Sequence, residues 1–150
     1  FGPAVDAAIV FSFVSEGMPL IYNGQEAGNR KRLAFFERDP IEWQASPYLD
    51  LYKKLVALKK SNTALWNGEF GAQMVQVPNR LPKQVISFVR DNGKDKVFVA
   101  LNLSDKPAKA TFEKAVHHGA YRDFASGKQV TVDGNSSFEM APWSYRVLVK

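Results

Sequence analysis

The hydrophobic and polar positions of this chain change their period once, near residue 66. Before that point, apolar residues crowd through Val5, Ala8, Ile9, Val10, Phe13 and Val14, with Pro3 suited to a first helical turn and Gly17 to a stop. This predicts a helix that is apolar nearly all round and so needs cover on more than one side. The next run, Met18-Pro19-Leu20-Ile21-Tyr22, is apolar at consecutive positions and predicts a strand buried on both faces. Its polar successors, Asn23-Gly24-Gln25-Glu26, would then sit at the strand's carboxyl end, where parallel α/β proteins bind ligands. A structured loop is expected around "LAFFERDPIEW" at 33–43, with Phe35, Phe36 and Trp43 anchoring it against the following helix. Ser46-Pro47 supplies an N-cap and a proline at the first helical position. Tyr48, Leu51, Tyr52, Leu55 and Leu58 then recur at helical spacing, which predicts an amphipathic helix over 47–61 with Lys53, Lys54, Lys59 and Lys60 largely on its polar side.

From Asn67-Gly68 onward the pattern alternates. Strands are predicted at 73–77, 84–90, 96–103, 108–112, 120–124, 129–132, 137–140 and 144–149. Turn chemistry separates them at Asp91-Asn92-Gly93, Ser104-Asp105-Lys106-Pro107, Ala125-Ser126-Gly127 and Asp133-Gly134-Asn135. Short, closely spaced strands imply an antiparallel β-sandwich or barrel of Greek-key type. The expected division is thus 1–66 and 67–150, with Trp143 and Tyr145 read as core residues of the last strand.

Composition narrows the classes. At 150 residues and 45% hydrophobic content the chain can bury a core. It holds no cysteine, which excludes disulfides and thiolate metal sites. The net charge of +5 invites a nucleic-acid partner, but basic and acidic residues are interleaved except at Arg30-Lys31-Arg32, as on an ordinary solvated surface. No stretch approaches the roughly 20 apolar residues that cross a bilayer. His117 and His118 lack Cys, Asp or Glu partners at ligand spacing, so no metal site is expected. A chain that opens on Phe1 reads as a piece of a longer protein or a processed product.

Taken in order, these elements resemble the end of an α-amylase family glycoside hydrolase. The stretch "GMPLIYNGQE" is similar to that family's segment at the eighth strand of a (β/α)8 barrel, through Gly17, Pro19, Ile21, Tyr22, Gly24 and Glu26. The resemblance continues through "FFERDPIEW" and "YLDLYKKLVALKKSNTAL" and into "VISFVRDNGKDKVFVALNLSDKP", similar to the first strands of the family's β-sandwich, domain C. It implies a mainly β fold, an antiparallel Greek-key sandwich preceded by α/β elements from the end of a barrel. It also implies a parent that acts on α-linked glucans by a retaining mechanism, in which one carboxylate attacks the sugar and another serves as acid and then base. In the family those carboxylates lie on earlier strands, so no catalytic residue carries over to this chain, and the chain alone is expected to be inactive. Glu26 becomes a support residue, while Asn23 and Gln25 are the candidates to lie beside substrate.

No cofactor or metal is implied, and the expected partner is an α-glucan or oligosaccharide, met through the parent enzyme. Neither nucleic acid nor membrane is expected. The competing reading is a non-enzymatic carbohydrate-binding or structural β-sandwich module. Self-association through residues 1–26, or their folding back on the chain's own helix and sandwich, is expected to cover the apolar residues at this end.

Overall fold

The structure, a computed structural model, describes residues 1–150. A 3-10 turn at Gly2–Ala4 leads into α1, Val5–Val14, and α2 spans Pro47–Ser61. Eight strands follow: β1 Met74–Gln76, β2 Val85–Asp91, β3 Lys96–Asn102, β4 Ala108–Thr111, β5 Gly119–Asp123, β6 Gln129–Val132, β7 Ser137–Met140 and β8 Tyr145–Val149. Each falls within about a residue of the stretch whose alternation predicts it. The second helix starts where capping chemistry places it, with the Ser46 hydroxyl accepting the Tyr48 N–H at 3.3 Å.

The strands form a six-stranded antiparallel sheet in the order β1-β2-β3-β8-β5-β6 and a separate β4–β7 pair. That order, with β8 inserted between β3 and β5, is Greek-key connectivity. Strand β3 is the centre of the molecule. Val97, Phe98, Val99, Ala100 and Leu101 are all wholly buried, because the sheet is covered on both sides. Val97, Val99 and Leu101 share one core with Phe88, Val147 and the helical residues Val10, Phe13, Val14, Tyr52 and Leu55. Phe98 and Ala100 point the other way, into a second core with Ala110, Phe112, Phe138, Met140 and Tyr121. The period of two along a strand thus sorts neighbouring residues into two layers, helices on one side and the β4–β7 pair on the other.

Helix α1 receives its cover from within the chain. Ala7, Ile9, Val10, Phe13 and Val14 are buried against α2 and β3. The run that follows it is not a strand. Residues 18–22 are irregular, and Met18, Leu20 and Tyr22 are 82%, 83% and 61% exposed. A buried strand needs ladder partners on both sides, and every strand here pairs antiparallel within 74–149, none of them beside this run.

Two further aromatic expectations are corrected. Phe35 and Phe36 stack edge to face on each other, but both stand in solvent, as Trp43 largely does, so they do not anchor the loop. The loop is tied instead by Asp39, whose carboxylate accepts the Ala34 N–H at 2.8 Å and pairs with the Lys31 ammonium. Trp143 precedes the last strand, in a turn at φ 55°, and Tyr145 is only partly buried, against the helix-side core.

Candidate functional site

The stretch Tyr22–Asn29 folds as a compact turn. The Gln25 N–H donates to Tyr22 O at 3.0 Å, Ala27 N–H to Gly24 O at 3.1 Å, Gly28 N–H to Gln25 O at 3.0 Å and Asn29 N–H to Gly24 O at 3.0 Å. Gly24 is required at its centre. Its φ is 94°, and a Cβ there would lie 3.2 Å from Asn29 Cβ and 3.3 Å from the Ile41 side chain. Glu26 turns inward and its carboxylate accepts the Gly24 N–H at 3.1 Å. The Gln25 side-chain Oε1 accepts the Tyr22 N–H at 2.7 Å, which leaves its side-chain NH2 as a donor. The Asn23 side chain is exposed and makes no hydrogen bond within the chain.

Around this turn lies a cleft of about 250 Å³, lined by Tyr22, Asn23, Gln25, Asn29, Lys31 and Arg32 among others. Gln25 and Asn29 also line a neighbouring groove of about 620 Å³, together with Val5, Ile9, Leu20, Tyr48 and Tyr52. Amide donors and acceptors beside an aromatic ring match the two surfaces of a sugar, its hydroxyl groups and its C–H face. The structure therefore brings Asn23, Gln25, Tyr22 and Gly24 together. It sets Ile21 outside the cleft, in a shallow groove with Glu26 and α2, and it leaves Gly17 and Pro19 as the approach to the turn.

Sequence reasoning passed over Arg90. This residue of β2 is 1% exposed, and its guanidinium is surrounded by main-chain carbonyls. Nε donates to Ala72 O at 2.9 Å, Nη1 to Ser15 O at 2.8 Å and more weakly to Leu65 O at 3.5 Å, and Nη2 to Trp66 O at 2.8 Å. Burial pushes its pKa down, against the pull of the nearby Glu16 carboxylate. The signal was present in the alternation: Ile86, Phe88 and Arg90 share one face of β2, so a charge stood at a helix-facing position.

His117 and His118 do not form a ligand set. His117 is 1% exposed among Phe98, Phe112 and the His118 ring, and neither of its nitrogens has a hydrogen-bond partner. No group of three or more His, Cys, Asp or Glu side chains gathers anywhere in the chain.

Comparison with known proteins places this architecture. Residues 74–147 match the family model for the maltogenic amylase C-terminal domain. An α-amylase 2 of Dictyoglomus thermophilum is 30% identical across 95% of the chain, and a cyclomaltodextrin glucanotransferase of a Bacillus species is 27% identical across 94%. The chain spans 25% of the length of the first and 21% of the second. A maltogenic α-amylase of Thermotoga neapolitana shares the fold over 98% of the chain and 36% of its own length, with a TM-score of 0.81 at 19% identity. The chain belongs to the α-amylase family, and residues 74–147 are its maltogenic amylase C-terminal domain.

Proposed function

We propose that this chain is the C-terminal part of a retaining glycoside hydrolase acting on α-linked glucans. In this reading its Tyr22–Asn29 turn presents Asn23 and Gln25 beside the substrate. The observation that carries the reading is the joining, in one chain, of a maltogenic amylase C-terminal domain to a turn that leaves the Gln25 NH2 and the Asn23 amide open to a polar cleft. Glu26 supports the turn and does no chemistry, since its carboxylate is engaged by the Gly24 N–H. The chain alone is inactive, because retaining hydrolysis needs a nucleophile and an acid/base across the bond, about 5 Å apart.

Two measurements check this. Reducing-sugar release from soluble starch should be absent for the chain and unchanged by Glu26→Gln; turnover that vanishes with that substitution would make Glu26 catalytic. Maltooligosaccharide titrations followed by NMR should move the side-chain amides of Asn23 and Gln25, and Asn23→Ala with Gln25→Ala should abolish the response. Shifts confined to the sandwich would instead place sugar binding there.

The division at 66/67 is proposed on topology, since all eight strands follow it while the helix-side core joins both parts. A chain of residues 67–150 should still unfold cooperatively around its second core. With Phe88, Val97, Val99, Leu101 and Val147 uncovered, it should do so at lower temperature and associate. The full chain is proposed to self-associate more weakly, through the exposed Met18, Leu20 and Tyr22, since α1 is already covered. Sedimentation of both across a concentration series compares them. A monomeric full chain removes the second proposal, and a disordered 67–150 removes the first.

A further inference from the structure

Three consecutive residues ahead of the turn are each held by a different element. Ser15 O accepts from Arg90 of β2 at 2.8 Å. The Glu16 carboxylate accepts the Met74 N–H at the start of β1. Gly17 O accepts from Lys59 Nζ of α2 at 3.2 Å, and the same ammonium donates to Leu65 O at 2.6 Å. Burial and the proximity of Arg90 both lower the Lys59 pKa. Two cations thus converge on the Leu65 carbonyl, while residues 18–21 beyond them make no hydrogen bond at all.

We propose that Arg90 and Lys59 form a two-cation clamp that positions the Tyr22–Asn29 turn, and with it Asn23 and Gln25, relative to the sandwich. Both are positioning residues; neither lines the cleft. The physical reason lies in direction. Apolar packing tolerates sliding, whereas a planar guanidinium bonded to carbonyls of residues 15, 65, 66 and 72 ties three stretches of chain to one rigid group. Because arginine stays charged at any working pH, the Arg90 half of the clamp does not open by titration. The sandwich then has a role in the glucan site that it never touches, a statement that rests on the function proposed above.

The absence of cysteine makes the test direct. Spin labels are placed on Met18→Cys and Lys109→Cys, both at exposed positions, to measure the distance from the approach segment to β4. A reference pair, Lys109→Cys with Gln129→Cys, lies wholly in the sandwich. In the otherwise unsubstituted chain both distance distributions should be narrow. Lys59→Met should broaden the first pair and leave the reference unchanged, Arg90→Met should broaden it further, and Arg90→Lys should fall between Arg90→Met and the parent. If Arg90→Met does not fold, Lys59→Met and Arg90→Lys carry the test. The proposal is overturned if those two keep the parent distribution, or if both pairs broaden together as general loosening would require. No sugar enters the measurement, so failure of maltooligosaccharides to shift Asn23 and Gln25 would remove the glucan reading and leave the clamp standing.

Discussion

Gly71→Ala should destabilise the chain by about 3 kcal/mol or more, as expected for a forced overlap with main chain that cannot give way. The backbone at Gly71 has φ −107°, which alanine adopts without strain, so the penalty is one of space alone. A Cβ there would stand 1.8 Å from Trp66 O and 2.9 Å from Arg90 Nη2. Neither neighbour can yield cheaply. Trp66 O is the acceptor of the Nη2 donor at 2.8 Å, and the next residue, Ala72, is fixed through its N–H to Ala64 O at 3.0 Å and through its carbonyl to Arg90 Nε. Moving the loop would leave buried N–H groups of a charged side chain unpaired. Denaturant unfolding measures the loss as a fall in midpoint at constant slope. Gly68→Ala is the control: open space surrounds it, but its φ is 59°, so about 1 kcal/mol of left-handed backbone strain is expected. A Gly71→Ala chain within about 0.5 kcal/mol of the parent would mean that the 66–72 loop moves without consequence.

The second large effect is an acid sensitivity centred on His117. Burial, aided by His118 and the Lys96 ammonium, lowers its pKa from 6.5 to about 4. The charged groups facing this corner are few. Lys96 of β3 donates to His118 O at 3.5 Å, and the Asp133 carboxylate, in the turn after β6, interacts with His118. The sign follows from linkage. Above pH 6.5 the ring is neutral in folded and unfolded chains and contributes no slope. Between 6.5 and about 4 the unfolded chain takes up the proton and the folded one does not, so stability falls as the pH falls. Over that window the loss approaches about 3 kcal/mol. His117→Phe should remove this part of the pH dependence. It should also gain about 1 kcal/mol at neutral pH, because both buried nitrogens now lack partners and a phenyl ring has none to satisfy. Thermal unfolding from pH 7.5 to 4 measures both. An unchanged acid slope in the variant would assign the sensitivity to other groups.

Much of this architecture is legible in the chain because single periods govern single elements. The alternation from 73 to 149 marks all eight strands, since all but the exposed edge strand β1 bury one or both faces against a layer that the same chain supplies. The 47–61 helix is legible from Ser46, Pro47 and one apolar stripe. The run at 18–22 is misread for a physical reason: its apolar residues report an environment, and a strand exists only where partner strands complete its ladder. Phe35, Phe36 and Trp43 fail similarly, for large apolar side chains can stand in solvent and only contacts distinguish that case. Of the candidate site, the identities of Asn23, Gln25 and the supporting Gly24 and Glu26 are readable locally, because a tight turn is built from neighbours in sequence. The clamp is not, since Arg90 meets Ser15 across 75 positions and carbonyls leave no mark on residue identity.

Strand β3 divides the molecule into two neighbourhoods that share a backbone but not side-chain contacts. Val97, Val99 and Leu101 answer to the helices, and Phe98 and Ala100 to the β4–β7 pair. As such a sequence diverges, a change at one of these positions must be compensated two residues away or across its own layer, while its immediate neighbour is free to vary independently. The face that meets the helices can therefore keep a fixed fit while the far side of the sandwich drifts. That asymmetry allows one fold to accumulate different outer surfaces without disturbing what it holds in place.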